Sequence, residues 1–111
     1  MKKMIYVAGP LTVSGNHIAN IRLAVLAGFH LKTLGYIPYI PHLTSFANMV
    51  EIRSDEYWMQ WCYDMLQHCD VLLRLPGESP GSDKEVKWAA KLGIPVFYSV
   101  EELLREVPRD S

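Results

Sequence analysis

No apolar stretch in this sequence approaches the roughly 20 residues that a membrane-crossing helix needs. The start, Met1-Lys2-Lys3-Met4, is basic, but Gly9-Pro10 breaks the following apolar run too soon for a signal peptide. The expectation is a soluble domain of the cytoplasm, with no membrane partner. An excess of one charge is also lacking: 11 Lys and Arg face 12 Asp and Glu, for a formal net charge of −1. That removes the electrostatic footprint of a general nucleic-acid binder, so no nucleic-acid polymer is expected as a partner. Cysteine is scarce. Cys62 and Cys69 fall in one predicted helix with Cα atoms roughly 10 Å apart, too far for a disulfide, and read as buried, reduced thiols. No Cys/His spacing matches a zinc site, so no metal is expected. Repeats, linkers and low-complexity tracts are absent as well.

What is present suits a single domain over residues 1–111: half of the residues are apolar, enough for a real core. Met4-Ile5-Tyr6-Val7-Ala8 is a short apolar run stopped by Gly9-Pro10, the pattern of a central parallel strand. Residues 9–16 read as a loop. A helix follows from about His17 to Leu34, with Ile18, Ile21, Ala24, Val25, Phe29 and Leu31 as its apolar face. Residues 36–40 form a strand that Pro38 and Pro41 place near a sheet edge. Residues 42–53 read as a loop with a helical turn around Phe46 to Val50. Ser54 caps a helix from about Asp55 to Cys69, whose buried stripe includes Trp58, Cys62 and Leu66. Strands over 71–75 and 94–98, a short helix over 85–92 and a last helix over 100–107 complete the chain. Strand and helix alternate, which predicts an α/β fold. It would be a flavodoxin-like (Rossmann-like) parallel sheet of four to five strands, order 2-1-3-4, with helices on both faces. The switch point then lies between the first and third strands, and the loops leaving them face one crevice.

The segment Ser79-Pro80-Gly81-Ser82-Asp83-Lys84-Glu85 leaves the third strand at that crevice. Its residues admit two readings. Ser82 and Glu85 fit the capping box S-x-x-E, which merely starts a helix. Alternatively, Glu85 is an ionised carboxylate at a ligand crevice, available as nucleophile or general base.

The order of motifs resembles the nucleoside 2-deoxyribosyltransferase superfamily, which also contains small nucleotide N-glycoside hydrolases. The matching stretches are Ile5-Tyr6-Val7-Ala8-Gly9-Pro10, then Cys69-Asp70-Val71-Leu72-Leu73 with Ser79-Pro80-Gly81 and Glu85, then Ala89-Ala90-Lys91-Leu92-Gly93-Ile94-Pro95-Val96. The similarity is strongest to a short, mostly uncharacterised branch that carries a Pro-His-Leu like Pro41-His42-Leu43. It implies one domain of this type over residues 1–111, without metal or redox cofactor, and a small-molecule nucleoside or nucleotide as substrate. It also implies the roles. Glu85 attacks the anomeric carbon, Tyr6 holds that carboxylate, and Gly9, Pro10, Ser79, Gly81 and Ser82 cradle the sugar's 5′ end. His42 contacts ligand near the crevice. Members form homodimers or higher homo-oligomers, and the aromatic residues Tyr57, Trp58, Trp61 and Tyr63 offer such an interface here.

One position departs from the family. Where members carry an Asp eight residues before Asp70, this chain has Cys62, and Asp64 is the nearest carboxylate. Either the site works without that group, Asp64 substitutes for it, or catalysis is lost. The residues therefore carry two functional expectations: N-glycosidic hydrolysis or base exchange with Glu85, Tyr6 and Asp64 as catalytic residues, or a nucleotide-binding sensor module on the same fold.

Overall fold

The structure is a computed structural model that describes residues 2–11 and 17–109. Four parallel strands, β1 (Met4–Ala8), β2 (Ile37–Tyr39), β3 (Val71–Arg74) and β4 (Val96–Phe97), form one sheet in the order β2-β1-β3-β4. This is the expected α/β, flavodoxin-like topology. The central strands β1 and β3 align Ile5 with Val71, Tyr6 with Leu72, Val7 with Leu73 and Ala8 with Arg74.

Because side chains alternate along a strand, β1 serves two cores at once. Ile5 and Val7 pack with Leu73, Ala24, Leu31 and Leu103 beneath α1 (His17–Thr33) and α5 (Val100–Glu106). Tyr6 and Ala8 turn the other way, toward Cys62, Leu66 and Ala89 of α3 (Asp55–Leu66) and α4 (Pro80–Leu92). Three helices start on a serine cap. Ser54, Ser79 and Ser99 accept from the N–H groups of Tyr57, Ser82 and Glu102. Gly93, at φ 75°, closes α4 in the left-handed conformation that glycine tolerates best.

Several boundaries differ from the sequence reading. The helix carrying Glu85 begins at Pro80, and its cap is Ser79. The Ser82/Glu85 capping box therefore does not exist, and Glu85 lies in the second turn. Proline explains the earlier start, since its fixed φ suits the first helical position. The expected face of α1 is also rotated. Ile18 is 76% and Phe29 65% exposed, while Ile21, Ala24, Gly28 and Leu31 are buried. A Cβ at Gly28 would lie 2.5 Å from Ile40 Cδ1, so the contact with the sheet side is made by small residues that a hydropathy pattern underweights. Residues 41–43 form a 3₁₀ turn, and α2 (Thr44–Val50) is a full helix that buries none of its residues. Trp58 Nε1 donates to Asn48 Oδ1 at 2.7 Å, tying α2 to α3.

At the edge, Pro38 sits in the middle of β2, opposite Ile5. Ile37 N–H points inward to Lys3 O at 2.9 Å, so the position lacking an N–H faces outward. Of the expected loop 9–16, residues 12–16 lie outside the described residues. Among the described residues no helix is long and apolar enough to cross a membrane.

Candidate active site

The carboxyl ends of β1 and β3 lie side by side at the switch point of the sheet, and a cavity of about 500 Å³ opens there. Gly9 and Leu11 leave β1 along one wall. Pro41, His42 and Thr44 come from the 3₁₀ turn and the start of α2. From α3 come Asp55, Trp58, Met59 and Cys62, at the spacing of one helix face. The α4 side presents Ser79 to Ser82, Glu85 and Trp88.

Glu85 is the chemical centre. Its carboxylate accepts a hydrogen bond from the Tyr6 hydroxyl, which arrives from β1 across the sheet. Tyr6 is wholly buried under the cavity and is not part of its wall, so it acts through Glu85. The Ser82 N–H, which a capping box would have given to Glu85, goes to Ser79 Oγ at 3.1 Å. Burial pushes the Glu85 carboxyl up to about 7, against the lowering pull of the Tyr6 hydroxyl and the Arg74 guanidinium. The same burial, with Glu85 and Cys62 adjacent, raises the Tyr6 hydroxyl well above its ordinary value. Tyr6 therefore remains a donor, and Glu85 switches between acid and base near neutral pH.

Arg74 ends β3 on the α3/α4 face, as its pairing with Ala8 requires. Its buried guanidinium donates to the Leu75 carbonyl, to Gly77 O at 2.9 Å and to Asp83 Oδ1 at 3.2 Å. Those bonds clamp the β3–α4 loop. The acidic partner of this buried charge is Asp83. Asp70 instead accepts from the Met4 N–H at 2.7 Å.

His42 is buried, with Nε2 at 3.1 Å from both Gly9 O and Pro10 O. Both neighbours only accept, so Nε2 carries the ring hydrogen and Nδ1 the lone pair. Nδ1 has no partner among the described residues. Burial lowers the pKa of the ring, which stays neutral.

The structure brings Glu85, Tyr6, Gly9, His42, Ser79, Gly81 and Ser82 to this one place. Two expected site residues stand elsewhere. Asp64 is exposed on the outer side of α3, where its Oδ1 accepts from Gln60 at 2.9 Å. It lies about 200° around the helix from Cys62, which no shift of register within α3 overcomes. Pro10 touches the site only through its carbonyl on His42; its ring borders a neighbouring pocket of about 430 Å³ near Leu23 and Leu75. Asp55, missed by the sequence reading as a site residue, is the α3 carboxylate that does line the cavity. It lies seven residues before Cys62, two turns along the same helix face, the one signal in the sequence that could have found it. Cys62 itself is an uncharged wall, its thiol pKa raised by burial. Among the described residues no three His, Cys, Asp or Glu side chains gather as a metal site.

A 2-desoxiribosyltransferase of Leishmania mexicana has a similar fold, at a TM-score of 0.61 and 23% identity over 86% of this chain and 62% of that one. This chain thus spans less than two thirds of that protein. No curated protein sequence matches the chain. A family model does match, over residues 3–98, and it is described as a domain of unknown function. On that match, which takes in all four strands and the whole cavity wall, the chain belongs to the DUF4406 family.

Proposed function

We propose that the protein cleaves the N-glycosidic bond of a nucleoside or nucleotide, or exchanges its base, with Glu85 as nucleophile. The observation that carries this reading is the Tyr6–Glu85 hydrogen bond at the wall of the switch-point cavity. A buried carboxylate aimed by a hydroxyl suits an anomeric carbon, whose transition state resembles an oxocarbenium ion. In the first step a Glu85 oxygen bonds to the anomeric carbon as the C–N bond breaks. The base leaves with the bonding electrons and takes up a proton. Water then releases the sugar and restores the carboxylate, or a second base takes water's place. Tyr6 holds Glu85, and the Ser79–Ser82 turn lies where the sugar's 5′ end would rest. The fold shared with the deoxyribosyltransferase supports the reading by analogy.

The test is release of free base from nucleosides and 5′-monophosphates, ribo and deoxy, with and without an acceptor base. Release by the wild type that disappears in folded Glu85→Ala establishes the reaction. Absence of release from every substrate rejects it.

A second reading is favoured by one observation: the uncharged thiol of Cys62 stands where related transferases are expected to carry an Asp. The chain would then be a nucleotide-binding or sensor module, and saturable binding without turnover is its signature. We further propose that it works in the cytoplasm as a single-domain homodimer or higher homo-oligomer. The half-exposed Tyr57 and Trp61 on α3 offer an interface, and the exposed Met49 and Val50 of α2 extend the apolar surface. Trp58 and Tyr63 are partly engaged within the chain, Tyr63 edge-on against Trp88 at 5.2 Å.

A further inference from the structure

A phosphate group presents only hydrogen-bond acceptors and close to two negative charges at neutral pH. The cavity beside Glu85 offers it little. Two carboxylates, Asp55 and Glu85, line the wall, and among the described residues no Lys or Arg does. Residues 12–16, Thr-Val-Ser-Gly-Asn, include no Lys or Arg. The nearest buried cation, Arg74, is committed to two carbonyls and Asp83. His42 is neutral, and its one ring N–H already faces the Gly9 and Pro10 carbonyls.

The first turn of α4 is equally short of donors. Pro80 has no N–H. The Ser82 N–H is given to Ser79 Oγ, and the Asp83 N–H to Ser79 O at 3.0 Å. The Ser79 hydroxyl donates to Ser82 Oγ at 2.9 Å, so of the two hydroxyl hydrogens only that of the buried Ser82 is left to give. Gly81 is left to supply the turn's remaining N–H. A helix start that binds phosphate relies on several such groups together.

We propose that the cavity selects an unphosphorylated nucleoside, and that Asp55 enforces the choice by accepting a hydrogen bond from a hydroxyl or amino group of the ligand and repelling a phosphate. The inference rests on the reading of this cavity as a nucleoside site and adds its charge selectivity. Asp55 stands in the exposed first turn of α3, where its carboxylate also suits the positive helix end.

Calorimetry on Glu85→Gln separates binding from turnover. Each common ribo- and deoxynucleoside is titrated beside its 5′-monophosphate, with inorganic phosphate as a further probe, at low and high salt. The expected result is a nucleoside bound at least about tenfold more tightly than its monophosphate at low salt. Salt narrows that ratio by screening, and adding Asp55→Asn narrows it by about threefold or more. A monophosphate bound as tightly as its nucleoside, or no nucleoside binding at all, overturns the proposal. A preference unmoved by both salt and Asp55→Asn removes Asp55 from it. Nucleoside-selective binding without base release from the wild type defeats the glycosidic reading while the charge selection stands.

Discussion

The two faces of β1 make a controlled comparison within one strand. Ile5 and Val7 look into an apolar core under α1 and α5, where the polar atoms near the cluster are satisfied by contacts such as Tyr36 Oη to Val107 O at 2.7 Å. Tyr6 and Ala8, one residue out of phase, look into a core that includes two thiols and a phenol and that borders Glu85. One face gives up nothing for chemistry. The other holds a carboxyl group whose charging is opposed by its surroundings. Strand periodicity therefore separates stability from reactivity within 5 residues of backbone.

The largest contrast is expected at Glu85. Glu85→Gln should lower base release by about a thousandfold or more, the scale of losing a nucleophile. It should also stabilise the protein. With a folded pKa of about 7, above the unfolded value, the native chain holds an extra proton between roughly pH 4.5 and 7. Wild-type stability thus falls as pH rises through that window, while activity that needs the carboxylate rises. Denaturation at about pH 8 should find the variant more stable on the order of 1–2 kcal/mol, and one less stable than wild type would contradict the burial argument.

On the opposite face, Leu73→Ala should cost about 2–5 kcal/mol in urea unfolding, as for other fully buried leucines. Activity per folded molecule should be unchanged, and a change in kcat would show that the two faces are coupled. Arg74→Met tests the reactive face more gently. Loss of the guanidinium should move the rising limb of the pH–activity profile to higher pH, because Arg74 favours the charged Glu85. An unshifted profile with lower activity would restrict Arg74 to clamping the loop. Asp64→Asn should be the smallest effect, within about 0.5 kcal/mol and with unaltered kinetics, as befits an exposed side chain paired only with its helix neighbour.

The sheet order was legible because it follows from the order of apolar runs and loops, and the meeting of Tyr6 with Glu85 because the family resemblance implied it. The rest depended on distances that a linear pattern does not carry. Pro80 and Ser79 outcompeted Ser82 as the start of α4, although S-x-x-E is the stronger textual signal. The buried face of α1 keeps the expected Ile21, Ala24 and Leu31 but turns on Gly28, so hydropathy wrongly added Ile18 and Phe29. Asp55 looked like nothing beyond a favourable charge in a first turn. Its place on the cavity wall appears only when α3 is set against α4.

Pro38 has a consequence for how these molecules behave in a crowd. A sheet edge with a free row of N–H and C=O groups can recruit a strand from another molecule and seed aggregation. Here the β2 edge is 3 residues long with its outward N–H deleted at the centre, and the β4 edge is 2 residues long. Neither margin can template a growing sheet. The concentrated native protein is thereby protected from edge-to-edge polymerisation.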